Sequence, residues 1–232
     1  MRSVKTLPAV TAGEQERLRL AFGLMVLIWM TGFIGYFTPL TEWPALYLYL
    51  SGSLGLVLYR GIHHGDWVKM YLAGGNLKKS LFWGAVAGVV LSLLAILNTV
   101  MYYKNGGTPM AEMEMLLVGR SLVYLFPLLI LAEEFLWRGI MFSSMIGRGF
   151  NGHLTVFLTA IFYTLNHFAV APVGMFERAL MAMMAFPIGI VGGYIVLKHK
   201  NVWGSVLLHM MAMVIMVLYI FAFQSLLQDN TL

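Results

Sequence analysis

The stretch GRSLVYLFPLLILAEEFLWRGIMF, residues 119–142, decides how this chain is read. It is long enough to cross the roughly 30 Å of a bilayer's hydrocarbon as a helix, and it is apolar almost throughout. Yet it holds Glu133, Glu134 and Arg138 in its interior. A charge at bilayer depth costs about 2.5–3.5 kcal/mol on insertion scales. Three charges are therefore placed there only if they face a protein interior or a water-filled cavity, with partners.

Helix geometry divides the three. Glu134 and Arg138 are four residues apart and lie on one face, where they can pair. Glu133 is turned about 100° away and is left to face a shared cavity. Held there, a carboxylate is suited to act as a general base on water. Two further apolar blocks carry ionisable groups. One contains Phe162-Tyr163-Thr164-Leu165-Asn166-His167, the other Gly204-Ser205-Val206-Leu207-Leu208-His209. Taken singly, the Glu134–Arg138 pair reads as a buried tie between helices, and each histidine as an interhelical hydrogen-bonding residue. Taken together, they predict one converging polar site. His63, His64, His153 and His199 read as loop residues at the surface or among headgroups.

The same apolar pattern recurs along the chain. Blocks at 20–39, 44–59, 81–103, 154–172, 179–197 and 202–227 join 119–142 to predict an all-α, polytopic transmembrane bundle of about seven helices. Of the 232 residues, 60% are hydrophobic and 11% charged, against about 25% charged in a typical soluble domain. Residues 1–19 read as a polar cytoplasmic segment and 20–232 as a single membrane domain. The block at 44–59 is the shortest of the seven. The basic run 61–80 reads as an amphipathic segment on the membrane surface. Gly84 with Gly88, and Gly189 with Gly193, read as close helix contacts.

The net charge of +5 is spread between apolar blocks rather than along one stripe, so it marks topology and not nucleic-acid binding. With the N-terminus inside, eleven Lys and Arg fall in inside segments and three in outside segments (Lys104, Arg120 and Arg178). The bias predicts a cytoplasmic N-terminus and an outside C-terminus, with a bacterial cytoplasmic membrane as the expected location. No cysteine is present, which excludes disulfides, thiolate metal sites and a cysteine nucleophile. The 18 methionines read as lipid-facing and packing side chains.

Glu133-Glu134-x-x-x-Arg138 resembles the first motif of the CAAX protease and bacteriocin-processing family (CPBP, also called Abi), which includes the type 2 CAAX prenyl proteases. Tyr163 and His167 are similar to its second motif, an aromatic followed four residues later by His, with Tyr where Phe is usual. His209 resembles the histidine of the third motif. Met213 stands where the family carries Asn, which is thought there to polarise the scissile carbonyl. The resemblance covers about 119–215. It implies an intramembrane endopeptidase acting on a membrane-associated protein or peptide, with Glu133 activating water, His167 and His209 catalytic beside it, and Glu134, Arg138, Tyr163 and Asn166 in support. No cofactor is required on this reading, although Glu133, His167 and His209 would be the ligands of a zinc site if one were used. Asn166, Ser205 and Asn98 are candidates to replace the donor lost at Met213. Two rival readings are an inactive scaffold, regulator or immunity protein, which Met213 favours, and a proton-coupled carrier. The carrier reading lacks repeated halves and paired broken helices.

Overall fold

The computed structural model describes residues 12–229, and within them the chain forms seven long helical units. These are α1 (Ala12–Tyr36), α2 (Trp43–His64), α3 (Leu77–Lys104), α4 (126–147), α5 (Gly152–Val170), α6 (Met175–His199) and α7 (Trp203–Asp229). Five of them, α1, α2, α3, α5 and α6, are long and apolar enough to cross a membrane by themselves. The fold is an all-α polytopic bundle, as the apolar blocks predict.

Several boundaries differ from the sequence reading. The first helix starts by Ala12, so 12–19 is not a polar loop; residues 1–11, with Arg2 and Lys5, lie outside the described residues. The second helix runs 22 residues to His64, opened by Pro44 in its first turn and closed by Gly65 at φ 64°, where Gly65 N–H reaches the Gly61 carbonyl and Asp66 N–H that of Arg60. The fourth begins at Phe126 rather than 119, because Ser121 takes φ 56° and breaks the helical path, and Pro127 starts a new first turn. Before it, 111–124 forms short helical turns between α3 and α4.

The run 61–80 is not one amphipathic segment: 61–64 end α2, 77–80 open α3, and a loop lies between them. Left-handed Gly65, Gly74 and Gly75 turn the chain back over one end of the bundle, burying Met70 and Leu72. Backbone and side-chain hydrogen bonds tie this loop to residues 199–203: Asn76 N–H to the His199 carbonyl, Val202 N–H to Tyr71, and Trp203 Nε1–H to Leu72. His199 is accordingly buried rather than superficial, while His63, His64 and His153 are exposed.

Gly84 and Gly88 do mark a close helix contact: a Cβ on Gly84 would run into the Gly204 carbonyl oxygen, so α3 and α7 touch backbone to backbone there. Gly189 and Gly193 pack closely against the side chains of Ala160 and Val156 of α5.

The ends of the bundle differ in charge. One end gathers the start of α1, the α2–α3 loop, the α4–α5 turn and the α6–α7 turn, with Arg17, Arg19, Arg60, Lys69, Lys78, Lys79, Arg148, Lys198 and Lys200. The other end has Lys104, Arg120 and Arg178 beside Glu42, Glu112, Glu114 and Glu177. The basic end is locked by Asp66. Its carboxylate pairs with Arg60 at 2.6 Å and Arg17 at 3.3 Å, all three buried, and with exposed Lys69 at 3.2 Å; Arg60 also meets Glu16 at 2.8 Å. Burial works against the Asp66 carboxylate, but hydrogen bonds from Arg60 and Lys69 and the Arg17 charge outweigh it and hold its carboxyl below the usual carboxylate range. A depressed folded-state value stabilises the fold above the unfolded value near 3.9 and ceases to do so as pH falls through the folded value. Asp66→Asn is expected to cost about 1–3 kcal/mol at neutral pH by leaving two buried guanidinium groups short of an anion, and to flatten the acid limb. Thermal unfolding in detergent from pH 7 to pH 3, wild type against variant, measures both.

Candidate active site

The charged run in α4 sits where the helix changes form. Residues through Glu134 are α-helical and Phe135–Phe142 is π-helical, a widened turn that recurs at functional sites. Glu134 and Arg138 still meet, with Arg138 Nη1 at 3.2 Å from Glu134 Oε1, and both are fully enclosed. Glu133 faces the other way and lines a narrow, largely apolar cavity between the helices. The separation of the two carboxylates by helix geometry holds.

α5 and α7 bring the remaining groups to the same place. The Tyr163 hydroxyl lies 3.3 Å from Glu133 Oε2 and 3.2 Å from His209 Nε2. His209 Nε2 is itself 3.6 Å from Glu133 Oε2, and its Nδ1 is 3.1 Å from Glu134 Oε1. Arg138 stacks over the Tyr163 ring at 4.5 Å. His167 lines the cavity beside them, with Nδ1 3.0 Å from the Tyr163 carbonyl one turn back on its own helix. That carbonyl can only accept, so Nδ1 carries the hydrogen and Nε2 is left as an acceptor. Glu133, Glu134, Arg138, Tyr163, His167 and His209 thus form one buried cluster on three helices.

Asn166 is not in it. Its Oδ1 accepts from Trp29 Nε1 at 3.0 Å, which anchors α5 to α1. Ser205 is buried against Gly192, and Asn98 lines a different cavity near Tyr102 and Phe176, so none of the three proposed substitutes for the missing Asn reaches the Glu133 cavity. Met213 does line it, one turn beyond His209. Among the described residues no group of three or more His, Asp or Glu is arranged to hold a metal ion. The His209 ring nitrogens face Glu134 on one side and Tyr163 on the other, and the set Glu133, His167 and His209 does not fit a resident metal.

Sequence reasoning missed two further parts. Trp137 donates from Nε1 to the Tyr49 hydroxyl, both side chains fully buried, which braces α2 against the π-helical turn. The wall of the cavity comes partly from the segment before α4, through Met113, Leu116 and Leu122. This segment is fastened by carboxylates in the first turns of two helices: Glu177 accepts from the Glu112 and Met113 N–H groups, and Glu112 accepts from Gly174 N–H.

The pair Glu134–Arg138 has no solvent to fall back on. Arg138→Ala and Glu134→Gln are each expected to lower the amount of protein in the membrane several-fold, since each breaks a fully buried ion pair by removing one partner. Quantitative blotting of membrane fractions measures this.

Residues 115–215 match the family model described as type II CAAX prenyl endopeptidase Rce1-like. No curated protein and no solved structure matches the chain. The matched segment begins in the wall of the cavity and ends just past Met213, and so contains every member of the cluster. Residues 115–215, a little under half of the chain, are thus similar to the Rce1-like type II CAAX prenyl endopeptidases.

Proposed function

We infer that the chain is an intramembrane endopeptidase that hydrolyses a peptide bond with Glu133-activated water. The observation that carries this reading is the contact of Glu133, Tyr163 and His209 at the floor of a cavity whose walls, His167 apart, are apolar. Such a floor concentrates electrostatic work where water is scarce.

The hydrogens can be assigned consistently. With both His209 ring nitrogens protonated, Nδ1–H donates to Glu134 and Nε2–H points at the Tyr163 oxygen, while the Tyr163 hydroxyl donates to Glu133. Glu133 takes a proton from water as the water oxygen bonds to the scissile carbonyl carbon, and the carbonyl electron pair moves onto its oxygen. Once protonated, Glu133 holds the Tyr163 hydroxyl less strongly, and that hydroxyl turns to the oxyanion together with His209 Nε2–H. Glu133 returns the proton to the amide nitrogen as the C–N bond breaks, leaving a free amine and a carboxyl group. His167, with Nε2 open to the cavity, orders water or the substrate amide. Glu134 and Arg138 position His209 and the Tyr163 ring.

Comparison of membrane peptides from cells carrying wild type and Glu133→Gln tests the reading. Accumulation of an uncleaved peptide in the variant supports it; identical peptides in both favour the scaffold reading.

A further inference from the structure

We propose that the active-site cavity opens on the non-cytoplasmic side of the membrane, and that its substrate is a membrane-anchored peptide presented from that side, with apolar residues flanking the scissile bond. The substrate class rests on the protease reading; the direction of access does not.

Two independent observations meet here. The first is charge. Nine described Lys and Arg residues lie at one end of the bundle and three at the other. The connections at the basic end are short, the regime in which positive charge sets orientation, so the basic end faces the cytoplasm. The second is the position of the cavity. It is walled by Leu46 near the start of α2, by Met113 and Leu122 before α4, by Pro172 in the α5–α6 turn and by Met181 and Met184 near the start of α6. All of these belong to the acidic end, where Glu42 pairs with Arg178 and Glu177 caps the 111–119 segment. Glu133 lies seven residues into α4 from that end, about 10 Å along the helix. No residue of the α2–α3 loop, the α4–α5 turn or the α6–α7 turn lines the cavity.

Beneath the floor, the opposite direction is closed. Glu134 and Arg138 fill the level below Glu133, and the Arg17–Asp66–Arg60 cluster lies between it and the basic face. A peptide anchored in the cytoplasmic leaflet would meet that packed, basic end. A peptide reaching the acidic end would find methionine and leucine walls, which adapt to varied apolar side chains, with the charged cluster at their base.

The cysteine-free chain permits a direct test. Single thiols are introduced by Met181→Cys and Met184→Cys in the cavity wall, Asn105→Cys at the acidic end and His64→Cys at the basic end. Intact cells are treated with a membrane-impermeant sulfonated maleimide, then opened and treated again. The expected pattern is reaction of Asn105→Cys and of at least one cavity thiol in intact cells, and reaction of His64→Cys only after opening. Reversed end markers, or cavity thiols that do not react in intact cells, overturn the proposal. Labelling is independent of cleavage. A chain labelled as expected but processing peptides normally as Glu133→Gln loses the protease reading alone. An active chain whose cavity thiols react only from the basic side loses the access proposal alone.

Discussion

Glu133→Gln is expected to reduce peptide cleavage by about 10²–10⁴, the range general base catalysis supplies, while leaving membrane abundance near wild type. Gln keeps the shape of the side chain, and its carbonyl oxygen can still accept from the Tyr163 hydroxyl that lies 3.3 Å from Glu133. The cluster below is untouched, because Glu134 retains both Arg138 and His209. What is lost is the capacity to take a proton from water and return it to the leaving nitrogen. Cleaved product per unit of membrane protein is the measurement. Turnover within tenfold of wild type would remove Glu133 from the role of base. The contrast with Glu134→Gln separates chemistry from structure, since that change is expected to deplete the protein itself.

The site was legible in the sequence because charge inside lipid has few solutions. Glu133, Glu134 and Arg138 in an apolar run, with His167 and His209 in two others, can avoid lipid only by meeting, and they do. Spacing alone assigned Glu134 to Arg138 and freed Glu133, and the π-helical turn beginning at Phe135 did not disturb that division. Asn166 shows the limit of the argument. It adjoins His167 in sequence, but one step along a helix turns it towards Trp29 instead of the cavity.

The parts that stayed hidden carry no distinctive polar signal or carry a misleading one. Met113, Leu116 and Leu122 wall the cavity, yet Met and Leu there look the same as residues facing lipid. Arg17 and Arg60 read as topology charges at helix ends. Both are buried on Asp66, Arg17 from a distant segment and Arg60 across the turn at Gly65, pairings that no helical period reveals. The loop at 65–76 offered Trp67, Val68, Met70 and Leu72 as an apolar face. Left-handed glycines at 65, 74 and 75 decided instead for a folded-back loop, in which Met70 is buried by packing against the bundle.

Tyr163→Phe is expected to cost about 10²–10³ in turnover, the loss associated with removing one oxyanion donor. The two departures from the resembled motifs fall on the same cavity: Tyr163 adds a hydroxyl where Phe is usual, and Met213 withdraws an amide donor where Asn is usual. Tyr163 is placed to supply what Met213 lacks, with its hydroxyl between Glu133 and His209. Phe preserves the ring that Arg138 stacks over at 4.5 Å and that packs against Trp137, so abundance should hold while kcat falls more than KM rises. If the donor has moved from α7 to α5, Met213→Asn should restore part of the lost rate in the Tyr163→Phe chain, and should preserve or raise turnover in the otherwise unaltered one. The four chains, measured for product formed per unit of protein, make a double-mutant cycle. A Tyr163→Phe chain within threefold of wild type, with Met213→Asn neutral in both backgrounds, would assign oxyanion stabilisation to His209 Nε2–H alone.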